Sequence, residues 1–151
     1  MNKDLKQGRY ARIYEQLQGL LAKPGNVASR MATIAAVLSH KKQYFFWTGF
    51  YILDNGELIV GPYQGPVACQ LLAKNTGVCW AAINSGATIV VPDVHKFPGH
   101  IACDSRSNSE IAVPVRNREG KLIGVLDVDS KDLNSFDETD REWLEKIVSL
   151  L

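Results

Sequence analysis

Three cysteines carry the chemistry that this chain could perform. Cys69, Cys79 and Cys103 lie beside loop residues or at the start of a short predicted helix, and none lies in the middle of a strand. Backbone N–H groups and nearby cations favour the ionised thiol at such positions, whereas a cysteine that serves packing usually lies inside an apolar element. One such cysteine alone is more commonly a small buried side chain, so it is the three together that favour reactive thiols.

Acidic and aromatic residues in the predicted strands are spaced so that their side chains share a face of the sheet. Asp127 and Asp129 are two apart in a predicted strand and therefore share a face, and Glu110 begins the strand before it. We expect the three carboxyl groups to line one pocket, and the alternative for the two aspartates is a solvated strand end. Trp47 and Tyr51, four apart in an earlier strand, also share a face and either form walls of that pocket or pack in the core.

The elements that must position these residues predict an α+β fold. Asn26 is a typical helix cap, Ser135 and Glu138 match a capping box, and the sequence at 54–56, Asp-Asn-Gly, predicts a tight hairpin turn. We expect a mostly antiparallel sheet of at least five strands, with the N- and C-terminal helices packed together on one face and the pocket loops on the other. The predicted helices are residues 3–21, 26–38, 77–84 and a last one after Ser135, and the predicted strands are residues 44–52, 57–63, 87–91, 110–115 and 122–129.

Length and charge limit the classes of function. A chain of 151 residues fits one domain, residues 1–151, and neither repeats nor low-complexity segments divide it. Its 17 basic and 16 acidic residues nearly cancel, so we expect a small-molecule partner and neither nucleic acid nor membrane. The odd number of cysteines and the lack of an apolar run near the start predict a cytoplasmic protein.

The link at residues 92–107 holds Cys103 and is long for a connection without periodicity, which is typical of a lid or binding loop. His95, His100 and Cys103 in this link are potential zinc ligands. The spacings Cys-x-x-Cys and His-x-x-x-His are absent, however, and a thiolate held on zinc could not form a disulfide. We therefore expect no metal and no cofactor, and His100 either modulates the Cys103 thiolate or is a solvent-exposed loop histidine, which is the commoner case.

Seven short segments together carry a family resemblance: Trp47-Thr48-Gly49-Phe50-Tyr51, Gly61-Pro62-Tyr63-Gln64-Gly65, Gly77-Val78-Cys79, Val91-Pro92-Asp93-Val94, Cys103-Asp104, Ser109-Glu110-Ile111 and Leu126-Asp127-Val128-Asp129-Ser130. Over nearly the whole chain they resemble the GAF-domain free methionine-(R)-sulfoxide reductases. The nine residues between Cys69 and Cys79 and the 23 between Cys79 and Cys103 match the cysteine pattern of that family. The resemblance implies a stand-alone GAF domain.

The resemblance also implies an activity, the reduction of free L-methionine (R)-S-oxide to L-methionine. It makes Cys103 the nucleophile, which becomes a sulfenic acid, and Cys69 the resolving cysteine that forms a disulfide with it, with Cys79 as a further thiol. A thioredoxin-type dithiol would then restore the thiols. This mechanism requires the fold to bring two distant loops together over one pocket.

The remaining site residues receive roles by the same resemblance. Glu110 and Asp129 would address the sulfoxide, Asp127 would support the ammonium group, and Trp47 and Tyr51 would contact the S-methyl group. Preference for the R epimer follows from the resemblance alone, and a homodimer is expected because the opening helix is apolar around much of its circumference. The alternative function is a non-catalytic GAF module that senses a nucleotide-like small molecule.

Overall fold

The computed structural model describes residues 2–100 and 103–151 and has four α-helices and one six-stranded sheet. The strand order is β3-β2-β1-β6-β5-β4, and every neighbouring pair is antiparallel. The helices are α1 (Lys3–Leu21), α2 (Val27–Lys41), α3 (Gly77–Ser85) and α4 (Glu138–Val148). The strands are β1 (Trp47–Asp54), β2 (Glu57–Gln64), β3 (Leu71–Leu72), β4 (Ile89–Val91), β5 (Ser109–Arg116) and β6 (Leu122–Ser130).

The first hairpin forms where the turn residues predict it. Asn55 and Gly56 have φ values of 51° and 79°, and Asp54 pairs with Glu57 across the turn. This left-handed conformation is one that Asn and Gly adopt readily, and it matches the twist of the two strands. β1 therefore lies in the interior of the sheet, with β2 on one side and β6 on the other.

The sheet separates two apolar layers. On one face, α1, α2 and α4 cover alternate residues of the central strands, among them Phe50, Ile111 and Val128. On the other face, α3 packs against Ala112 and Val125 together with the aromatic residues of β1. The alternation follows from the two-residue period of a strand, and it confirms the predicted arrangement of terminal helices on one face and pocket loops on the other.

A buried polar network joins the terminal helices. The Asp140 carboxylate accepts hydrogen bonds from the Tyr10 hydroxyl at 2.5 Å and the Tyr44 hydroxyl at 2.6 Å, and it forms an ion pair with Lys6. Asp140 is fully buried, and Lys6 is 4% exposed. The amine of Lys42 lies 3.8 Å from the centre of the Tyr10 ring and has no hydrogen-bond partner among the described residues. Nothing in the sequence pattern had predicted this network.

The capping box predicted from Ser135 and Glu138 is wrong. Helix α4 begins at Glu138, and its N-cap is Asp137, whose carboxylate accepts from the N–H groups of Thr139 and Asp140. A charged carboxylate is a stronger acceptor for the free N–H groups of a helix start than a serine hydroxyl. The predicted cap at Asn26 is confirmed, because its side chain accepts from the N–H of the third residue of α2.

Strand limits and short elements account for the other differences from the predicted fold. The strand predicted at residues 44–52 begins only at Trp47 and extends to Asp54. Strand β3 was not predicted, since two residues carry no periodicity, and β4 covers only the last three residues of the predicted strand. The link at residues 92–107 begins with a short 3-10 helix at Val94–Lys96, and residues 101 and 102 of this link lie outside the described part. Among the described helices, none combines the length and the apolar character that a bilayer crossing requires.

Candidate active site

A pocket of about 210 Å³ lies over the sheet on the α3 side. This volume is below the roughly 300–1,000 Å³ of sites for drug-sized ligands, so the pocket fits a smaller molecule. All site residues predicted from the sequence line this pocket, although they are spread over 83 positions of the chain. They are Trp47, Tyr51, Cys69, Cys79, Cys103, Glu110, Asp127 and Asp129.

Pairing of β5 with β6 brings the three acidic residues together. Glu110 lies opposite Asp129, and Asp127 lies opposite Ala112, two positions further along β5. Glu110 and Asp127 are 6% and 5% exposed, and Asp129 is half-buried. The acids therefore converge in a largely dry pocket, and for Asp127 and Asp129 this excludes the alternative of a solvated strand end.

Burial changes the protonation of these acids. It raises the pKa of Glu110 well above its usual range, and the charges of Asp127 and Asp129 raise it further. Burial also raises the pKa of Asp129, with a smaller contribution from Asp127, and the pKa of Asp127 is raised by burial as well. Because a low dielectric and like charges both disfavour the ionised form, this pocket can keep a carboxyl group protonated near neutral pH.

Cys79 occupies the first turn of α3, as predicted, but its environment differs from the expected one. Its sulfur is buried and lies 4.0 Å from Oε2 of Glu110. Burial, followed by the charges of Asp127 and Glu110, raises the pKa of this thiol well above its usual range. The expectation that the helix start favours a thiolate is therefore wrong for Cys79, because loss of hydration and the nearby acids outweigh the helix N–H groups.

The two other cysteines form a disulfide at the pocket. Cys69 and Cys103 are 34 residues apart in sequence, yet their Cα atoms lie 5.6 Å apart and their sulfurs are bonded. Cys69 is half-buried in the loop before β3, and Cys103 is exposed in the link before β5. The fold thus meets the requirement that these two distant loops come together, while Cys79 remains a free thiol.

The aromatic residues both line the pocket and hold the loop that carries Cys69. The Trp47 ring stacks on Tyr51 at 5.8 Å and on Tyr63 at 5.1 Å between ring centres. The indole N–H of Trp47 donates to the carbonyl of Pro66 at 3.1 Å, and the Tyr51 hydroxyl donates to the carbonyl of Cys69 at 3.0 Å. Trp47 and Tyr51 are also buried. They are therefore both walls of the pocket and core residues, the two alternatives that the sequence left open.

Gly49 makes this aromatic stack possible. A Cβ atom at this position would lie 2.2 Å from Cβ of Tyr63 and 2.7 Å from Cη2 of Trp47. Only a glycine leaves room for both rings at this point of β1. Sequence reasoning did not single out Tyr63, although its position directly opposite Gly49 in the hairpin register could have identified it.

The two histidines of the link have different surroundings. Nδ1 of His100 lies 4.0 Å from Oε1 of Glu110, and burial lowers the pKa of His100, with a smaller effect of His95. His95 instead forms a hydrogen bond to Asn108 at 2.9 Å, and Cys103 is in the disulfide. The candidate zinc set of the link is thus not assembled in this structure.

An exposed ion pair follows Cys103 directly. Asp104 forms a two-bonded ion pair with Arg106, whose hydrogen bonds lower the pKa of Asp104 to about 2, and the guanidinium of Arg106 lies 4.9 Å from the centre of the Phe46 ring. These contacts hold residues 104–106, which directly follow the exposed Cys103, against the Phe46 ring. Sequence reasoning missed Arg106, because a charge in a loop gives no signal of its partner.

Comparison with known proteins agrees with this geometry. Residues 32–151 match the family model of the GAF domain. A Saccharomyces cerevisiae protein named free methionine-R-sulfoxide reductase is 48% identical over 108 residues, which cover 70% of this chain and 60% of the yeast protein. An Escherichia coli protein of the same name is 37% identical over 144 residues, which cover 94% of this chain and 86% of that protein.

A solved structure extends the similarity to three dimensions. The free methionine-R-sulfoxide reductase of Neisseria meningitidis, in complex with its substrate, superposes with a TM-score of 0.91 at 41% identity, covering 96% of this chain and 87% of the other. The sequence and the structure agree over almost the full length of the chain. The protein therefore belongs to the GAF-domain family of free methionine-R-sulfoxide reductases.

Proposed function

We propose that this protein reduces free L-methionine (R)-S-oxide to L-methionine, with Cys103 as the nucleophile and Cys69 as the resolving cysteine. The observation that supports this most directly is the Cys69–Cys103 disulfide beside a pocket lined by three acids. A bond between two sulfurs that face a ligand pocket is the product that a thiol reductase leaves after turnover. Relatives that carry this name supply the substrate.

The reaction balances in three steps. The Cys103 thiolate attacks the sulfoxide sulfur, the oxygen is transferred to the cysteine as a sulfenic acid, and methionine leaves. The Cys69 thiol then attacks the sulfenic sulfur, a disulfide forms, and water is released. A dithiol protein of the thioredoxin type exchanges with this disulfide, returns both thiols and becomes oxidised itself.

The acids and the aromatic rings have separate tasks in this proposal. Glu110 and Asp129 hold and protonate the sulfoxide oxygen, since a buried and a half-buried carboxyl group opposite each other on neighbouring strands form a hydrogen-bonding pair for it. Asp127 supports the ammonium group of the amino acid. Trp47 and Tyr51 contact the S-methyl group, for which aromatic rings are favourable partners.

Two further parts of the proposal concern assembly and location. We propose a homodimer that involves α1, because Leu5 and Leu20 of this helix are 61% and 46% exposed. We also propose a cytoplasmic location, where dithiol reductants keep such a disulfide in turnover. Cross-linking and sedimentation of the purified chain would decide the first point.

The experiment that tests the function is a steady-state assay with separated R and S epimers of free methionine sulfoxide and a protein dithiol reductant. We expect turnover of the free R epimer, none above background with Cys103→Ser, and a burst of about one methionine per protein with the Cys69→Ser/Cys79→Ser double variant. Glu119→Gln, in an exposed turn far from the pocket, serves as the control and should keep wild-type activity. Full activity of Cys103→Ser, or equal turnover of peptide-bound methionine sulfoxide, would contradict the proposal, and tight nucleotide binding without turnover would favour a sensing module.

A further inference from the structure

Three metal-ligating side chains meet in the buried part of the pocket. The Cys79 sulfur and carboxylate oxygens of Glu110 and Asp127 all lie within 4.8 Å of one another, and the three residues are buried. Cys79 comes from α3, Glu110 from β5 and Asp127 from β6, so three packed elements fix the positions of the donor atoms. None of the three takes part in the disulfide.

The group also contains an unused ligand atom. Oδ1 of Asp127 is buried and has no hydrogen-bond partner among the described residues, although this side chain is 5% exposed and lines the pocket. Within the described chain, neither a lysine nor an arginine forms an ion pair with Glu110 or Asp127, and the His100 ring, 4.0 Å from Glu110, has a lowered pKa that disfavours its charged form. A buried carboxylate oxygen without a partner is costly, and either the ammonium group of the substrate or a metal ion would satisfy it; the thiol of Cys79 in the same group is what favours a metal ion.

We propose that Cys79, Glu110 and Asp127 bind a Zn²⁺ ion, and that this ion inhibits the protein. Zinc accepts thiolate and carboxylate ligands together, whereas Mg²⁺ and Ca²⁺ prefer oxygen ligands alone. Three protein ligands leave a fourth position for water in a tetrahedral site. Cys79 loses its thiol proton to the solvent when the ion binds.

This site differs from the histidine set of the link, and it is independent of the redox state of the other cysteines. The Cys69–Cys103 bond leaves Cys79 free, so zinc can bind both the oxidised and the reduced protein. Inhibition follows because the ion occupies pocket space and binds Glu110, which the sulfoxide would use, and Asp127, which the substrate's ammonium group would use. This consequence, unlike the binding itself, rests on the proposed function.

The test measures zinc binding in the Cys69→Ser/Cys103→Ser double variant, in which Cys79 is the only thiol. Competition with a chromophoric chelator gives the affinity for Zn²⁺ alone, and Co²⁺ alone gives a sulfur-to-metal charge-transfer band in the near ultraviolet. We expect one ion per chain and this band. Adding Cys79→Ser should remove the band and weaken zinc binding more than about 100-fold, since even outer partners of a metal site contribute about 10- to 100-fold.

Two carboxyl variants keep the proposal falsifiable if the serine variant folds poorly. Asp127→Asn should weaken binding at least about tenfold, whereas Asp129→Asn, which removes a charge from the same pocket but lies outside the group, should change it less than about threefold. Absence of stoichiometric binding, an unchanged affinity in Cys79→Ser, or an equal loss in Asp129→Asn would overturn the site. Zinc binding with no reductase activity in the unmetallated wild type would instead leave the site intact and remove the proposed function.

Discussion

Reduction of the Cys69–Cys103 disulfide should lower the free energy of unfolding by an amount that depends on the length of the loop that the disulfide closes. The bond joins residues 34 apart, and the loop that it closes contains β3, α3 and β4. A crosslink of this span removes conformational entropy from the unfolded chain worth about 4 kcal/mol at 25 °C. The free energy of unfolding should therefore fall by about 4 kcal/mol when the wild-type protein is reduced.

Urea unfolding of the oxidised and reduced forms measures this difference, with tryptophan fluorescence and circular dichroism as independent probes. Thermal unfolding should show a midpoint about 10 °C lower for the reduced form, because 1 kcal/mol corresponds to roughly 2–4 °C in a domain of this size. Cys79→Ser should keep the full difference between the two forms, since its sulfur is outside the bond. Cys69→Ser should abolish the difference.

Two results would refute the reasoning. A difference below about 1 kcal/mol in the wild type would mean that no long loop is closed in the oxidised protein. A difference that disappears in Cys79→Ser and persists in Cys69→Ser would show that Cys79 is a member of the bonded pair. In that case the pairing on which the proposed recycling depends would be wrong.

Three substitutions test other parts of the structure. Glu110→Gln should lower kcat for the free R sulfoxide by about 100-fold or more, because a positioned acid contributes about 10²–10⁴-fold, and an unchanged kcat would exclude this residue as the acid. Lys42→Met should raise the free energy of unfolding at pH 7 by about 1–3 kcal/mol. Burial lowers the pKa of Lys42 from 10.5 to about 8, which disfavours the charged form of this side chain by about 3 kcal/mol. The contact of its amine with the Tyr10 ring offsets up to about 2 kcal/mol of this cost. Because the unfolded chain holds the Lys42 proton above about pH 8 while the folded protein does not, wild-type stability should rise between about pH 8 and 10.5, and urea titrations of Lys42→Met should lack this rise. Asp140→Asn should cost about 3 kcal/mol in the same assay, since it removes the buried charge that pairs with Lys6 and accepts from two tyrosine hydroxyls, while Lys6 keeps its ion pair with Asp137; a cost below about 1 kcal/mol would show that the network is not stabilising.

Periodicity and turn chemistry predict most of the fold. The apolar runs of β5 and β6, the Asn55-Gly56 turn and the cap at Asn26 each have a local physical cause, and each is present in the structure. The two-residue strand β3 and the true cap at Asp137 depend on tertiary contacts, which local patterns do not record. The resemblance supplied the fold family, since local patterns alone predict only an α+β sheet with helices on one face.

The sequence predicted which residues line the pocket, but it did not predict the burial of Cys79 and the resulting change in its pKa. The strand period of two is sufficient to place Asp127 and Asp129 on one face, and the structure puts Glu110 beside them. The burial of Cys79 was not predictable from its place at a helix start, because burial is decided by β5 and β6 packing beneath α3. For the same reason the Asp140 network escaped detection, as its members are up to 134 residues apart.

The apolar layer on the helix side is what holds the acids in place on the other side. Along β5, Glu110 faces the pocket and Ile111 faces the core, and along β6 the same holds for Asp127 and Val128. A shift of the β5–β6 register by one residue would turn the acids into the layer under α1, α2 and α4 and would expose the valine and isoleucine. Burying carboxyl groups in an apolar layer without partners costs several kcal/mol each, so such a shift would cost an amount comparable to the whole stability of a typical domain, about 5–15 kcal/mol. The positions of the pocket acids are thus fixed by core residues that never contact a ligand, and substitutions such as Ile111→Ser should disturb the pocket from the opposite face of the sheet.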